Sequence, residues 1–271
     1  MFSRKLFGTA ATACSLLLIA ATPINYISNA GDMPRRGVST ISPGDSLQQA
    51  RGPAVPLNKR VAKFVHDYVR KNDHYLGMIR SRSASCFNVV DTIFTHQGLP
   101  IELKYLAVVE SELKTKAVSH AGAAGMWQLM PAAARSYGLK VGGKRDDRKN
   151  MYRSSVAAAR YLDYLHDIFD DWLLTLAAYN SGTGNVLKAI KKSGSHDFWA
   201  MERFLPAETR KYVRKFIAVH YYFEGRGSIA TLTKKETLAH LKAQQAFINK
   251  LELQKSDSLV VKSMVVQIPA Q

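Results

Sequence analysis

The sequence predicts a mainly α-helical domain over residues 57–225. Apolar residues recur at three- and four-residue intervals in successive stretches, the spacing of one helix face. Gly and Pro fall between those stretches, where helices stop and start. Alternating apolar and polar runs, the mark of a half-buried strand, are negligible there. With 271 residues, 46% of them apolar, the chain has material for a sizeable core and is not a disordered tail protein.

The elements follow in order. Val61, Phe64, Val65, Tyr68 and Val69 share one face of a first helix beginning after Leu57. A second runs near 85–97, with Phe87, Val90, Ile93 and Phe94 inward and Gly98 as its stop. Pro100 suits the first turn of a third, which reaches about Leu113. A Gly/Ala-rich turn, 119–125, precedes a helix from Pro131 to Gly138, then a basic loop over 140–153. Ser154 or Ser155 is expected to cap a helix carrying Ala158, Tyr161, Leu162 and Leu165. Helices over 172–179, around Val186, Leu187 and Ile190, and from Pro206 through His220 complete the domain. In the tail, 226–271, a helix over 233–253 and a strand over 259–268 are expected.

Residues 1–30 read as a secretory signal peptide: Arg4-Lys5, an apolar stretch from Leu6 to Thr22, and the small-x-small end Ser28-Asn29-Ala30. The alternative is an uncleaved anchor helix, although the run is short for a span. Residues 31–56 read as a linker. There are 38 Lys+Arg against 21 Asp+Glu, a formal net charge of +17, so an anionic partner is expected. Export disfavours nucleic acid, for which no motif is visible, and leaves a cell-wall polymer or a membrane or envelope surface. After cleavage Cys86 is the single cysteine, so no internal disulfide forms, and it reads as a small core residue. The histidines form no metal-spaced cluster with acids or cysteines, so neither a metal nor another cofactor is expected.

Glu110 is the most informative residue. It continues the stripe of Leu103, Leu106 and Ala107, so its carboxyl leaves the buried or cleft-facing side of the third helix. Burial raises a carboxyl pKa, and a Glu protonated near neutral pH suits a general acid. The plainer reading is a Glu at the edge of the stripe, paired or reaching solvent. A two-carboxylate glycosidase needs a second acid across the sugar. No Asp or Glu occurs from Leu113 to Arg145, and Asp146 and Asp147 fall in the basic loop.

Four motifs stand in order: Glu110-Ser111; Ser119-x-x-Gly122-Ala123-x-Gly125-x-Trp127-Gln128-Leu129-Met130-Pro131; Ala178-Tyr179-Asn180-x-Gly182; and Leu205-Pro206-x-Glu208-Thr209-Arg210-x-Tyr212-Val213. The first three resemble the lytic transglycosylase (SLT) domain, and the flanking fourth, with Gly98-Leu99-Pro100-x-Glu102-Leu103, resembles the membrane-bound murein transglycosylases of the D type, the whole covering roughly 57–222. The resemblance implies a lysozyme-like fold and cleavage of the β-1,4 bond between N-acetylmuramic acid and N-acetylglucosamine in peptidoglycan glycan strands. It aligns Glu110 with the family's catalytic acid, which also serves as base, leaving a 1,6-anhydromuramic end. A goose-type-lysozyme-like hydrolase and a non-catalytic wall binder are the alternatives. Fuller D-type proteins often add wall-binding LysM repeats; the 226–271 tail is too short and too charged for a pair of them.

Five more residues are candidates for the sugar site alongside Gln128. Gln128 and Asn180 suit an acetamido or hydroxyl group, though Asn180 also suits a helix C-cap. The Tyr179 hydroxyl could orient Glu110 or the sugar, or be a satisfied core tyrosine. Ser119 could fix Glu110 or steady its turn. Met130, with Trp127, could floor a subsite, and Glu208 could line the cleft or favour its helix N-terminus.

Overall fold

The structure, a computed structural model, describes residues 53–142 and 145–265, with side chains to 254. The expected signal peptide and most of the expected linker lie outside these residues. Ten α-helices and short 3-10 turns make up the described chain, which has two isolated antiparallel bridges and no strand.

Helices α1 (Lys59–Arg82) and α2 (Ala84–His96) come first. Val61, Val65, Phe87, Val90, Ile93 and Phe94 are buried, as their spacing requires. A 3-10 turn, Ile101–Lys104, leads into the short α3, Tyr105–Ser111. After the long turn come α4 (Pro131–Ser136), α5 (Met151–Phe169) and α6 (Trp172–Ser181). Then follow α7 (Thr183–Ser193), α8 (Phe198–Met201), α9 (Ala207–Glu224) and α10 (Lys234–Val265). Helix α9 is central. It packs on α1, α3 and α6, and buries Tyr212, Val213, Phe216, Ile217 and His220.

Three expectations are corrected. Helix α5 begins before Ser154: Asn150 is its cap, accepting from the Arg153 N–H at 2.9 Å. Ser154 and Ser155 lie inside the helix and donate back to the carbonyls of Asn150 and Met151. Asn180 is not a C-cap, since α6 runs to Ser181 and ends on Gly182 at φ 81°. Residues 259–265 are helical where a strand was expected. The β-branched Val260 and Val261 follow a helix with no intervening Gly or Pro, and extending a formed helix is easier than starting a new element.

The first turn of α10 is fastened to the domain. Lys234 N–H donates to Asp171 at 2.6 Å, and Glu236 accepts from the Thr233 N–H at 2.8 Å and from Trp199 Nε1 at 3.3 Å. Among the described residues, no helix is long and apolar enough to cross a membrane.

Candidate active site

Leu103 in the 3-10 turn and Leu106 and Ala107 on α3 are fully buried, and Glu110 stands half-buried on the same stripe. The helix stops immediately after it, not at Leu113. Glu112 and Leu113 both adopt left-handed backbone, φ 58° and 66°. Their N–H groups close on the carbonyls of Val108 and Ala107 at 3.0 and 3.2 Å, ending the helix without glycine. Ser111 donates to the Met126 carbonyl at 2.8 Å and ties this stop to the following loop.

That loop, 114–130, is shaped by glycine and a buried arginine. Gly125, at φ 82°, lies so close to the Arg148 carbonyl that a Cβ would fall 1.8 Å from the oxygen. The Arg148 guanidinium donates to the carbonyls of Gly122 and Leu129 at 2.7 and 3.0 Å and pairs with Asp146 at 2.8 Å. Asp147 binds Arg145 at 2.8 Å. Part of the basic stretch 140–153 is therefore an internal brace rather than a solvated face. It also commits Asp146 and Asp147, the first acids after Glu112, to cations.

Ser119 accepts from the Ala123 N–H at 3.0 Å, which steadies the turn, and the bond to Glu110 comes from elsewhere, from Tyr212. Gln128, at φ 47°, donates to the Gly125 carbonyl at 2.9 Å. Trp127 is wholly buried and bonds Ser155, which removes it as a sugar floor, whereas Met130 is 46% exposed at the loop's end.

Tyr179 donates to the Trp127 carbonyl at 2.8 Å, so its hydroxyl braces the loop instead of orienting Glu110. The orienting hydroxyl belongs to Tyr212, which donates to Glu110 Oε1. One turn earlier on α9, Thr209 donates to Asn180 Oδ1 at 2.8 Å. Glu208, in the first turn of α9, is exposed and stands one turn before Tyr212. The structure thus brings Glu110, Tyr179 and Asn180 together along α9, while Ser119, Gln128 and Met130 belong to the loop that Tyr179 and Arg148 hold. Sequence reasoning missed Tyr212 and Thr209 as site residues, although both lie in the quoted motif 205–213.

Burial pushes the Glu110 carboxyl up to about 7, against the Tyr212 hydrogen bond and the charge of Lys215, which pull it down. Glu112, two residues on, shifts the other way. Burial raises it, but bonds from Lys114 and Tyr75 outweigh that and hold it below the usual carboxylate value. Burial first, and Glu110's charge second, hold the phenols of Tyr179 and Tyr212 well above the usual tyrosine value. The arrangement offers one carboxyl near neutrality, ready to give or take a proton, beside hydroxyl and amide groups suited to a polar ligand. Among the described residues no group of His, Cys, Asp and Glu is placed to hold a metal ion.

Residues 95–202 match the family model described as Transglycosylase SLT domain. Over those residues the chain is similar to that family. Membrane-bound lytic murein transglycosylase D of Escherichia coli K12 is 39% identical over 181 residues, 65% of this chain and 38% of the relative. Peptidoglycan transglycosylase gp16 of Escherichia phage T7 is 36% identical over 123 residues, 43% of this chain and 9% of the relative. The chain thus spans well under half the length of either. The solved complex of the 70-kDa soluble lytic transglycosylase with bulgecin A superposes with a TM-score of 0.50 over 63% of this chain and 31% of that one, at 20% identity. At that identity the likeness shows the fold, a helical lytic transglycosylase fold. Glu110, the braced loop, Tyr179 and Asn180 lie within the matched SLT segment. Thr209, Tyr212 and Lys215 lie beyond it, on a helix that completes the surroundings of Glu110.

Proposed function

We propose that this chain is a peptidoglycan lytic transglycosylase in which Glu110 is the single general acid and base. The observation that carries the reading is a carboxyl raised to about 7 by burial and held by Tyr212, at a site whose next acids along the chain are tied into ion pairs. Glu110 donates its proton to the glycosidic oxygen as the bond from muramyl C1 to that oxygen breaks. The substrate's 2-acetamido group steadies the cationic C1. The Glu110 carboxylate then takes the proton of the C6 hydroxyl as O6 bonds to C1. The product is a 1,6-anhydromuramic end, and no water is consumed.

In this reading Asn180, Gln128, Met130, Glu208 and Tyr179 line the sugar site, and Ser119 keeps the loop in shape. Residues 57–225 are the catalytic domain and 226–271 an appended, mainly helical tail. Residues 1–30 are an export signal or anchor and 31–56 a linker, placing the protein in the periplasm or cell envelope. The excess of basic residues attracts an anionic wall polymer.

Digestion of purified peptidoglycan followed by mass spectrometry tests the proposal. Anhydromuramic ends from the wild type, and none from Glu110→Gln, are expected. Reducing ends would instead make the protein a hydrolase, and unchanged lysis by the variant would remove Glu110 from the mechanism.

A further inference from the structure

We infer that Lys215 is a positioning residue for Glu110, seating the last turn of α3 and supplying the positive charge that steadies the carboxylate between its two proton transfers. The inference rests on Glu110 being the acid of the proposed reaction.

Lys215 follows Tyr212 by three positions on α9, so the two side chains leave neighbouring points of one helix face. That face packs on α3. Tyr212 reaches Glu110 Oε1, while Lys215 Nζ donates to the carbonyl of Val109, the residue before it, at 3.3 Å. The last carbonyls of a helix lack helical donors. Here the N–H groups of Leu113 and Glu112 take those of Ala107 and Val108, and the ammonium takes the next.

The charges around Lys215 single out Glu110. Glu110 and Glu112 face it from α3 and the stop that follows, and Lys211 faces it from its own helix. Burial lowers the Lys215 pKa, with both glutamates pulling the other way. Glu112 has its own ammonium, Lys114 at 2.7 Å, with Arg82 beside it. Among the described residues, the titratable groups that act on Glu110 or feel its charge include the Tyr212 and Tyr179 hydroxyls and the Lys215 ammonium. A cation seated directly on the carboxyl would ionise it before it could donate. Seated on the adjacent carbonyl, Lys215 favours the carboxylate without forcing it.

The test compares wild type, Lys215→Gln and Lys215→Arg. Glutamine keeps a donor for the Val109 carbonyl and removes the charge; arginine keeps both. The Glu110 carboxyl is followed by carbon-13 NMR titration, assigned by its loss in Glu110→Gln, together with the pH profile of kcat/KM on glycan strands. The glutamine variant should raise the Glu110 midpoint by about half a pH unit or more and move the alkaline limb of activity with it. Arginine should restore both. An unmoved midpoint in the glutamine variant, or an arginine variant that behaves like glutamine, overturns the inference. Failure of the wild type to cleave glycan would sink the proposed function, yet the NMR midpoints would still decide what Lys215 does to Glu110.

Discussion

Replacing Glu110 by Gln should make the protein more stable above about pH 4.5, with the gain complete once the pH passes about 7. In the fold Glu110 titrates near 7, against 4.5 for an unperturbed glutamate. Between those values the folded state binds more protons than the unfolded one, so stability is full below about 4.5 and falls as pH rises through about 7. At 1.36 kcal/mol per pH unit, the carboxylate costs the wild type about 3 kcal/mol by pH 8.5. Gln carries no charge and still accepts the Tyr212 hydroxyl. For a domain of this size the difference corresponds to about 6–12 °C in Tm. Asp171, raised by burial to about 6, and His220, lowered by burial to about 4, also make stability depend on pH. Both are present in either protein and cancel in the comparison. Thermal unfolding of wild type and variant at pH 4.5 and 8.5 reads the effect directly. A Tm difference that is the same at both pH values would refute the assignment of a raised pKa to Glu110.

Tyr212→Phe removes a hydrogen bond to a chargeable group, worth about 1.5–3 kcal/mol, so kcat/KM on glycan should fall about 10- to 100-fold with circular dichroism unchanged; full activity would show that the hydroxyl is idle. Gly125→Ala meets both a left-handed backbone, about 1–2 kcal/mol by itself, and the Arg148 carbonyl, so Tm should drop well beyond that of Gly122→Ala, where φ is 83° but nothing lies within 4 Å. Arg148→Met leaves buried carbonyls and Asp146 without their partner and should cost about 3–5 kcal/mol in urea unfolding. Arg153→Ala, which breaks a half-exposed contact at 3.6 Å, should cost less than about 1 kcal/mol.

The helices that were legible in the sequence are those whose burial is one-sided. Val61 and Val65, Phe87 through Phe94, and Tyr212 through His220 each repeat at helical spacing, and each buries that face. Glu110 was legible for the same reason, as a polar residue interrupting an apolar stripe. Tyr212 was not, because a tyrosine on an apolar stripe looks the same whether its hydroxyl meets a core carbonyl or a carboxyl 102 residues away. Tyr179 shows the converse, drawn toward Glu110 by its motif yet bonded to Trp127. The role of the basic loop was not legible, because charge on a loop usually means solvent, while Asp147 and Arg148 are buried and Arg148 bonds the carbonyls of Gly122 and Leu129. Ser154 and Ser155 look like caps by type, but Asn150 sits at the residue where the chain turns.

The abrupt end of α3 has a steric consequence. Helical side chains lean toward the N-terminus, so residues three and four positions further on lie over the one before. Had α3 continued, positions 113 and 114 would have arched across the Glu110 carboxyl. Two left-handed residues send the chain away instead, and Leu113 goes into the core while Lys114 faces water. A side chain that begins on a buried stripe is thereby left uncovered by its own helix, because the polypeptide itself has stepped aside.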